Sequence, residues 1–434
     1  MSIAIPPKDY KVLFLDMNSF FASVEQQVQP TLRGQPLGVA PYTGDSGCII
    51  AASKEAKAMG VKIGRIGEAK MLCPKLKIVE SRPALYMLYH KEIKKVIESF
   101  TPYFTPLSID EFALFLTPRE QNYQSAVKLG QDLKLAIKEK VGDYLTCSVG
   151  IGPSKFLAKM AGERKKPDGL TVVRLSELKS FYAGIKLTDI TGINWRMEQV
   201  LKNFYINSPT DFFNCSLTRL RELLNHPGRM WYFRLRGYEV DDHSSPTKTI
   251  GHSHVLPPQY RSREGAEAVI HKLIFKTAFR LRKENFWASG VAVTIGFMNL
   301  QSSHRETERS AVVAISKNCG DDTHNDSTFS LSKRTTSFCD TKSLTDHIFL
   351  LLKNCRWQSK PIYVSISTFN LAKLCGNQIS IFSEIEKQKS VSYVLDEIND
   401  RYGSETVYSA SMYQALDSAP DRIPFGRPRY DILH

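Results

Sequence analysis

The sequence predicts a multidomain α+β protein, and three observations carry that prediction. Strand-like and helix-like stretches alternate from residue 11 to about residue 173, with acidic residues at strand ends. Residues 175–238 then carry helical patterns alone. Residues 249–370 follow the order β-α-β-β-α-β, which builds a four-stranded sheet with helices on one face. The length of 434 residues agrees, because domains of roughly 100–200 residues allow two to four of them here.

Taken in order, residues 11–15 are strand formers and stop at Asp16. Residues 18–27 read as a helix with Phe20, Phe21 and Val24 apolar, so Asp16 stands where a strand gives way to a helix. Rigid edges of this kind position reacting groups well. Residues 44–47 are a turn, 48–52 an apolar run, and 53–59 a helix closed by Gly60. Residues 104–116 read as strand, turn and strand, with Ser108, Ile109, Asp110 and Glu111 at the centre. An amphipathic helix at 125–140, a strand at 145–151 and a helix at 153–163 follow. After a linker at 246–248 come strands at 249–256, 287–298, 329–338 and 361–370, with helices at 262–285 and 340–353. A polar loop covers 316–327, and a tail from 371 holds one helix at 390–402.

Lys and Arg outnumber Asp and Glu by 58 to 44, a net charge of +14 that suits a polyanionic partner. Charge alone does not separate DNA, RNA and an anionic membrane surface. No stretch of about 18 apolar residues exists to span a bilayer, and residues 1–11 lack the apolar core of a signal peptide. The eight cysteines are scattered with no C-x-x-C pair, which argues against a zinc site or a disulfide framework and for reduced thiols in a cytoplasmic protein.

Asp16, Asp110 and Glu111 each adjoin strand-like sequence. Any one alone is equally a solvated turn residue. An adjacent Asp-Glu pair between apolar runs is harder to explain that way, because clustered carboxylates repel unless a cation neutralises them. Oxygen ligands of this kind suit Mg²⁺, and two such ions can stabilise the attacking and leaving oxygens of a phosphoryl displacement. Sequence spacing does not show that the three acids meet.

Three stretches resemble the motifs of Y-family (translesion) DNA polymerases. They are Phe14-Leu15-Asp16-Met17-Asn18-Ser19-Phe20-Phe21, the run Ser108-Ile109-Asp110-Glu111, and Ser148-Val149-Gly150-Ile151-Gly152 followed by Lys155, Lys159 and Lys166-Pro167-Asp168-Gly169. The resemblance implies a right-hand architecture: a palm at 1–35 and 82–173, fingers at 36–81, a helical thumb at 174–242, a βαββαβ little finger at 247–370 and a tail at 371–434. It implies two Mg²⁺ ions held by Asp16, Asp110, Glu111 and the Met17 carbonyl. Phe21 matches the steric gate that leaves no room for a ribose 2′-OH. Cys48 falls in the fingers segment over the nascent base pair. Lys54 and Lys57 stand where many members carry Tyr and Arg against the triphosphate. Lys54 is as well read as a solvated helix residue, since Lys lacks the bidentate fork of Arg, and Lys166 is the better triphosphate ligand. The stretch from Glu55 to Lys62 leans toward the UmuC-like branch, with the DinB-like branch next.

For DNA, the resemblance points to a helix-hairpin-helix at Thr191-Gly192-Ile193-Asn194, where Gly192 would offer backbone N–H groups to phosphate. Asn194 departs from the usual glycine and is expected to keep the hairpin by tolerating a left-handed conformation. Residues 247–286 hold eight basic against three acidic residues, and Lys248, Arg261, Arg263, Arg280 and Arg282 are the expected DNA contacts. Gln378-Ile379-Ser380-Ile381-Phe382 resembles the bacterial β sliding-clamp motif, with Gln378 as hydrogen-bonding anchor and Ile381 and Phe382 filling an apolar pocket. Primer-template DNA, dNTPs and the clamp are the partners implied. A UmuD′-like accessory dimer and a recombinase filament stay open. No motif implies a 3′→5′ exonuclease, so low fidelity is expected. A catalytically inert scaffold of the same build is the alternative, although such a chain would be expected to have lost acids that are all kept here.

Overall fold

The computed structural model describes residues 7–45, 47–240, 247–298, 328–357, 359–373 and 383–419, with side chains from 390 onward in the last stretch. They form two compact units, one up to residue 240 and the other from 247.

The first unit is built on a five-stranded sheet, and its central strand explains the placement of everything around it. Strand β1 (Val12–Met17) is buried along its whole length. Such a run can be buried throughout only in a sheet covered on both faces. Further along the chain come α1 (Phe20–Val28), β2 (Leu37–Ala40), β3 (Cys48–Ile49), β4 (Ala51–Ala52), α2 (Lys54–Ala58), β5 (Gly64–Arg65), α3 (Ile66–Leu72) and β6 (Lys77–Glu80). These are followed by α4 (Pro83–Glu98), β7 (Phe104–Pro106), β8 (Glu111–Phe115), α5 (Tyr123–Lys140), β9 (Cys147–Gly152), α6 (Lys155–Glu163) and β10 (Leu170–Val172). The strand order is β10-β9-β1-β8-β7, with β1 antiparallel to β8 and β9.

Side chains alternate across β1 with period two. Leu13, Leu15 and Met17 join the large core with Tyr86 and Ile93 of α4 and Leu133 and Ile137 of α5. Val12 and Phe14 point the other way, where they pack with Ala113 and with Ala158 of α6. Asp16 continues this second series, so alternation alone sends its carboxylate toward α6. Helix α6 lies hard against β9 because Gly150 has no side chain. A Cβ there would fall 1.9 Å from the Ala158 carbonyl oxygen and 2.4 Å from the Gly162 nitrogen.

The segment 36–81 forms a smaller core of its own around Ile49, Ala52, Ala56 and Ile66. Its strands order as β4-β2-β6, with β3 and β5 as a separate pair. The apolar run 48–52 is therefore two short strands in two sheets rather than one strand. Ser53 caps α2 by accepting from the Ala56 nitrogen, and Gly60, at φ +85°, ends it. Four further helices, α7 (Leu178–Ala183), α8 (Trp195–Asn203), α9 (Pro209–Asn214) and α10 (Leu217–Leu235), share a core with Phe156, Leu157 and Met160 of α6. Helix α10 is broken at Asn225, where φ is +55°.

The second unit holds β11 (Thr249–Val255), α11 (Arg263–Lys283), β12 (Phe286–Phe297), β13 (Thr328–Phe338), α12 (Thr341–Leu352), β14 (Pro361–Lys373) and α13 (Ser383–Tyr402). Its sheet orders as β11-β14-β12-β13. Val293, Ile295, Val364 and Ile366 share a core with α11 and α12. The polar loop expected at 316–327 lies outside the described residues.

The expectation of a tail from 371 needs correction. Strand β14 continues to Lys373, and residues 390–419 pack back onto the second unit. Ala415 and Ala419 join the apolar core of that unit, and polar bonds hold the segment around them. Arg282 of α11 donates to both carboxylate oxygens of Asp396, at 2.6 and 2.8 Å, and to the Cys339 carbonyl. Lys272 pairs with Glu405 at 2.8 Å and donates to the Leu416 carbonyl. Lys276 donates to the Ala419 carbonyl, and the Tyr260 hydroxyl bonds Asp417. Among the described residues no helix is long and apolar enough to cross a membrane.

Removing one member of a buried ion pair leaves the other charge stranded. Asp396→Ala is therefore expected to destabilise the second unit by about 3–5 kcal/mol, read as a lowered urea midpoint at unchanged m-value.

Candidate active site

Antiparallel pairing sets Asp16 of β1 directly opposite Glu111 of β8 and Ser148 of β9. Paired residues share a face, so both carboxylates stand on the α6 side. Asp110 precedes β8 and is tied to β1 through its carbonyl, which accepts from the Met17 nitrogen at 3.0 Å. The Ser108 hydroxyl donates to Asp110 Oδ1 at 2.5 Å. Thus the three predicted acids converge where the central strands β1 and β8 meet, at the end of β1 and the start of β8.

Lysine ammonium groups supply the neutralising charge. Lys159 of α6 donates to Glu111 Oε1 at 2.5 Å. Lys166 lies 3.0 Å from Asp16 Oδ2 and 2.6 Å from Glu163 Oε1. This compensation is incomplete. Burial raises the Asp16 carboxyl to about 7, with Lys166 opposing and Asp110 and Glu111 adding to the rise. Burial, with Glu111 alongside, also raises Asp110. Burial works against the charge on Lys166, but Asp16 and Glu163 outweigh it and hold its pKa above the ordinary value. Burial, and then the charge of Lys166, push Lys57 of α2 down, which places Lys57 beside the same cluster.

Among the described residues no three His, Cys, Asp or Glu side chains form a ready-made ion cage. The chemistry of the donor set nonetheless fits a hard divalent cation: carboxylate oxygens only, crowded together and under-neutralised. Asn18 frames the site from the other side. Its Nδ2 donates to Ser148 at 2.9 Å, and its Oδ1 accepts from the Asp168 nitrogen at 2.8 Å.

The Phe21 ring stacks on Tyr86 of α4 at 4.5 Å and 17°. Tyr86 in turn donates to Glu25 at 2.8 Å, and Arg82 pairs with the same carboxylate. Cys48 is exposed on β3 opposite Arg65. Lys54 points elsewhere: its ammonium lies over the Tyr144 ring at 4.7 Å, where the Tyr144 hydroxyl donates to Glu55. Gly192 has φ +95°, a left-handed conformation, and lines a cleft of about 700 Å³ with Glu163, Arg164 and Phe181. The role expected of Asn194 is corrected. It adopts φ −91° and caps α8 by accepting from the Met197 nitrogen at 2.9 Å, a job its short carbonyl performs well.

The basic residues expected on DNA fare unevenly. Arg282 is 4% exposed and fully engaged with Asp396, so it cannot reach a phosphate. Arg280 pairs with Glu284 and Arg263 with Glu267, while Arg261 donates to the Leu256 carbonyl. Lys248 is exposed at the start of the unit. The face of the sheet turned away from the core carries what sequence reasoning missed. Ser253, Ser365, Thr294 and Ser330 form one cross-strand row, and Gly251, Ser367, Ala292 and Ser332 the next, with Arg334 exposed beyond. The signal was present as small or hydroxyl side chains alternating with apolar ones along β12, β13 and β14. Gln378, Ile381 and Phe382 lie outside the described residues.

Residues 15–163 match the impB/mucB/samB family, and residues 247–381 match the C-terminal domain of that family. A DNA polymerase IV from Moorella thermoacetica is 31% identical over 410 residues, covering 93% of this chain and 96% of its own. One from Pelotomaculum thermopropionicum is 29% identical over 412 residues, covering 92% and 94%. A solved Y-family DNA polymerase chimera of Dbh and Dpo4 shares the fold at a TM-score of 0.65 and 23% identity, covering 84% of this chain and 99% of that one. The chain belongs to the impB/mucB/samB family of Y-family DNA polymerases. Within it, the relatives named DNA polymerase IV favour the DinB-like side and lend no support to the UmuC-like lean of the segment 55–62.

The crowding at Asp16 costs stability that a neutral isostere would recover. In EDTA, Asp16→Asn is expected to raise the thermal midpoint, by roughly 2–4 °C for each kcal/mol relieved, as checked by scanning calorimetry.

Proposed function

We propose that the chain is a template-directed DNA polymerase of the DNA polymerase IV type, adding dNTPs to a primer 3′-OH during translesion synthesis. The observation that carries this reading is the register that sets Asp16 against Glu111, with Asp110 tied in alongside.

Residues 1–35 and 82–173 serve as palm, 36–81 as fingers, 174–242 as thumb and 247–370 as little finger. Asp16, Asp110, Glu111 and the Met17 carbonyl would hold two Mg²⁺ ions, whose chemistry is to stabilise charge on the attacking and leaving oxygens. The chain's own residues do the rest. Lys57 and Lys166 meet the triphosphate, and Lys166 gives up Asp16 to do so. Phe21, braced by Tyr86, closes the space beneath the sugar. Cys48 lies in the roof over the base pair. Lys54, turned onto Tyr144, takes no part. The hairpin at Gly192 and the hydroxyl-lined open sheet face meet the DNA backbone, where small polar side chains bond phosphate without reading sequence. Gln378, Ile381 and Phe382 dock on a bacterial sliding clamp in the cytoplasm. The relatives named DNA polymerase IV give no ground for a UmuD′-like dimer or a recombinase filament, and extension is expected without them. Low fidelity follows from the absence of an exonuclease motif in the sequence.

Primer extension by the purified chain with Mg²⁺ and dNTPs tests the reading. Wild type is expected to extend, and Asp110→Ala/Glu111→Ala to lose extension entirely. A wild type that stays inactive even with a clamp present would favour the inert scaffold. Phe21→Ala is expected to raise ribonucleotide incorporation on the order of tenfold or more, scored by alkali-sensitive product.

A further inference from the structure

Helix α4 runs beneath both halves of the site. Arg82, Tyr86 and His90 follow at intervals of four, so they share a face. The first two grip Glu25 and Phe21 on the α1 side. His90, one turn further, reaches the carboxylate side. Its Nδ1 lies 2.7 Å from the Ile109 carbonyl oxygen. A carbonyl only accepts, so Nδ1 carries the proton and donates. The imidazole also stacks on Phe112, with centroids 5.1 Å apart and planes at 15°. Ile109 and Phe112 are the residues on either side of Asp110-Glu111. The ring is 0% exposed and so has one seat.

This grip matters because Asp110 lies outside β8, beyond the cross-strand pairing that places Glu111. Apart from its own Ser108 turn, it is located through its carbonyl bond to Met17. A hydrogen bond one residue upstream and a stacked ring downstream fix the direction in which the dipeptide presents its oxygens. Carboxylates that hold a cation depend on such outer partners for orientation.

We propose that His90 is a positioning residue, holding Asp110-Glu111 in the geometry needed for divalent-ion binding and nucleotidyl transfer. This rests on the polymerase reading above.

Two variants of the full chain separate the Nδ1 hydrogen bond from the ring stack. His90→Phe keeps a ring against Phe112 and removes the donor. His90→Asn keeps an N–H donor in nearly the same place and removes the ring. Single-nucleotide primer extension gives kcat and KM for dNTP, Mn²⁺ binding by electron paramagnetic resonance without nucleotide reads the site directly, and thermal melting checks folding. For His90→Phe, kcat is expected to fall on the order of tenfold or more with Mn²⁺ affinity weakened about tenfold, while KM for dNTP stays within about twofold. For His90→Asn, both kcat and Mn²⁺ affinity are expected to stay within about threefold of wild type, since the donor is kept. A merely structural histidine would lower the melting temperature and leave kcat per folded molecule and Mn²⁺ affinity unchanged. That result in His90→Phe, or a His90→Asn loss as large as that of His90→Phe, would overturn the proposal. If His90→Phe does not fold, His90→Gln, whose amide reaches the Nε2 rather than the Nδ1 position, takes its place beside His90→Asn: a tenfold loss of kcat and Mn²⁺ affinity in His90→Gln alone supports the donor, and unchanged values reject it. A wild type without extension would sink the polymerase reading, while the Mn²⁺ comparison would still test His90.

Discussion

Three carboxylates gathered where the central strands of the sheet end repel one another, and much of the first unit depends on how that repulsion is met. The acids are brought together by β-sheet geometry that cannot be relaxed locally: alternation sends Asp16 toward α6, and pairing puts Glu111 beside it. Sliding either strand by one residue would turn every side chain to the opposite face and bury the charge in the apolar core. The neutralising lysines are equally constrained. Lys159 reaches Glu111 only because α6 sits within backbone contact of β9 at Gly150, and Lys166 follows from the end of the same helix. The site is thus a consequence of packing on one face of the sheet, with its charge held in reserve by groups that can exchange partners.

Much of this was legible in the sequence. Strand β1, the turn at 108–111, β9 and α6 lie close to where apolar runs and Gly placed them, because each is long or sharply bounded. The β-α-β-β-α-β order of the second unit was legible for the same reason. Strands β2 and β6, only four residues each, show no alternation long enough to register, and α3 and α4 were not foreseen. That omission hid Tyr86 and His90, although their spacing of four is a helical signal in its own right.

Charge was the least reliable guide. Arg282 was an expected phosphate ligand and Lys272 counted toward the basic surplus of the same stretch, yet both are buried against the C-terminal segment. A count of basic residues carries no information about which way they face, and the acids that claim them, Asp396 and Glu405, lie more than a hundred residues away. Asn194 misled in a related manner. Its tolerance of left-handed backbone was a property it did not need, while its capacity to cap a helix was used.

The docking of α13 has an unusual polarity. Among its described side chains the buried positions are Ser392, Asp396 and Asn399, with Leu395 and Ile398 half-buried, whereas Val391, Val394 and Tyr402 face outward. Greasy helix faces can slide past one another with little penalty, since any apolar neighbour serves. A face of hydrogen-bonding groups cannot: a shift of one turn, about 5.4 Å, would set Arg282 against the wrong residue and break both of its bonds to Asp396. The attachment therefore acts as a key in a lock, admitting one alignment of α13 on α11 and fixing the place in space from which the chain beyond it departs.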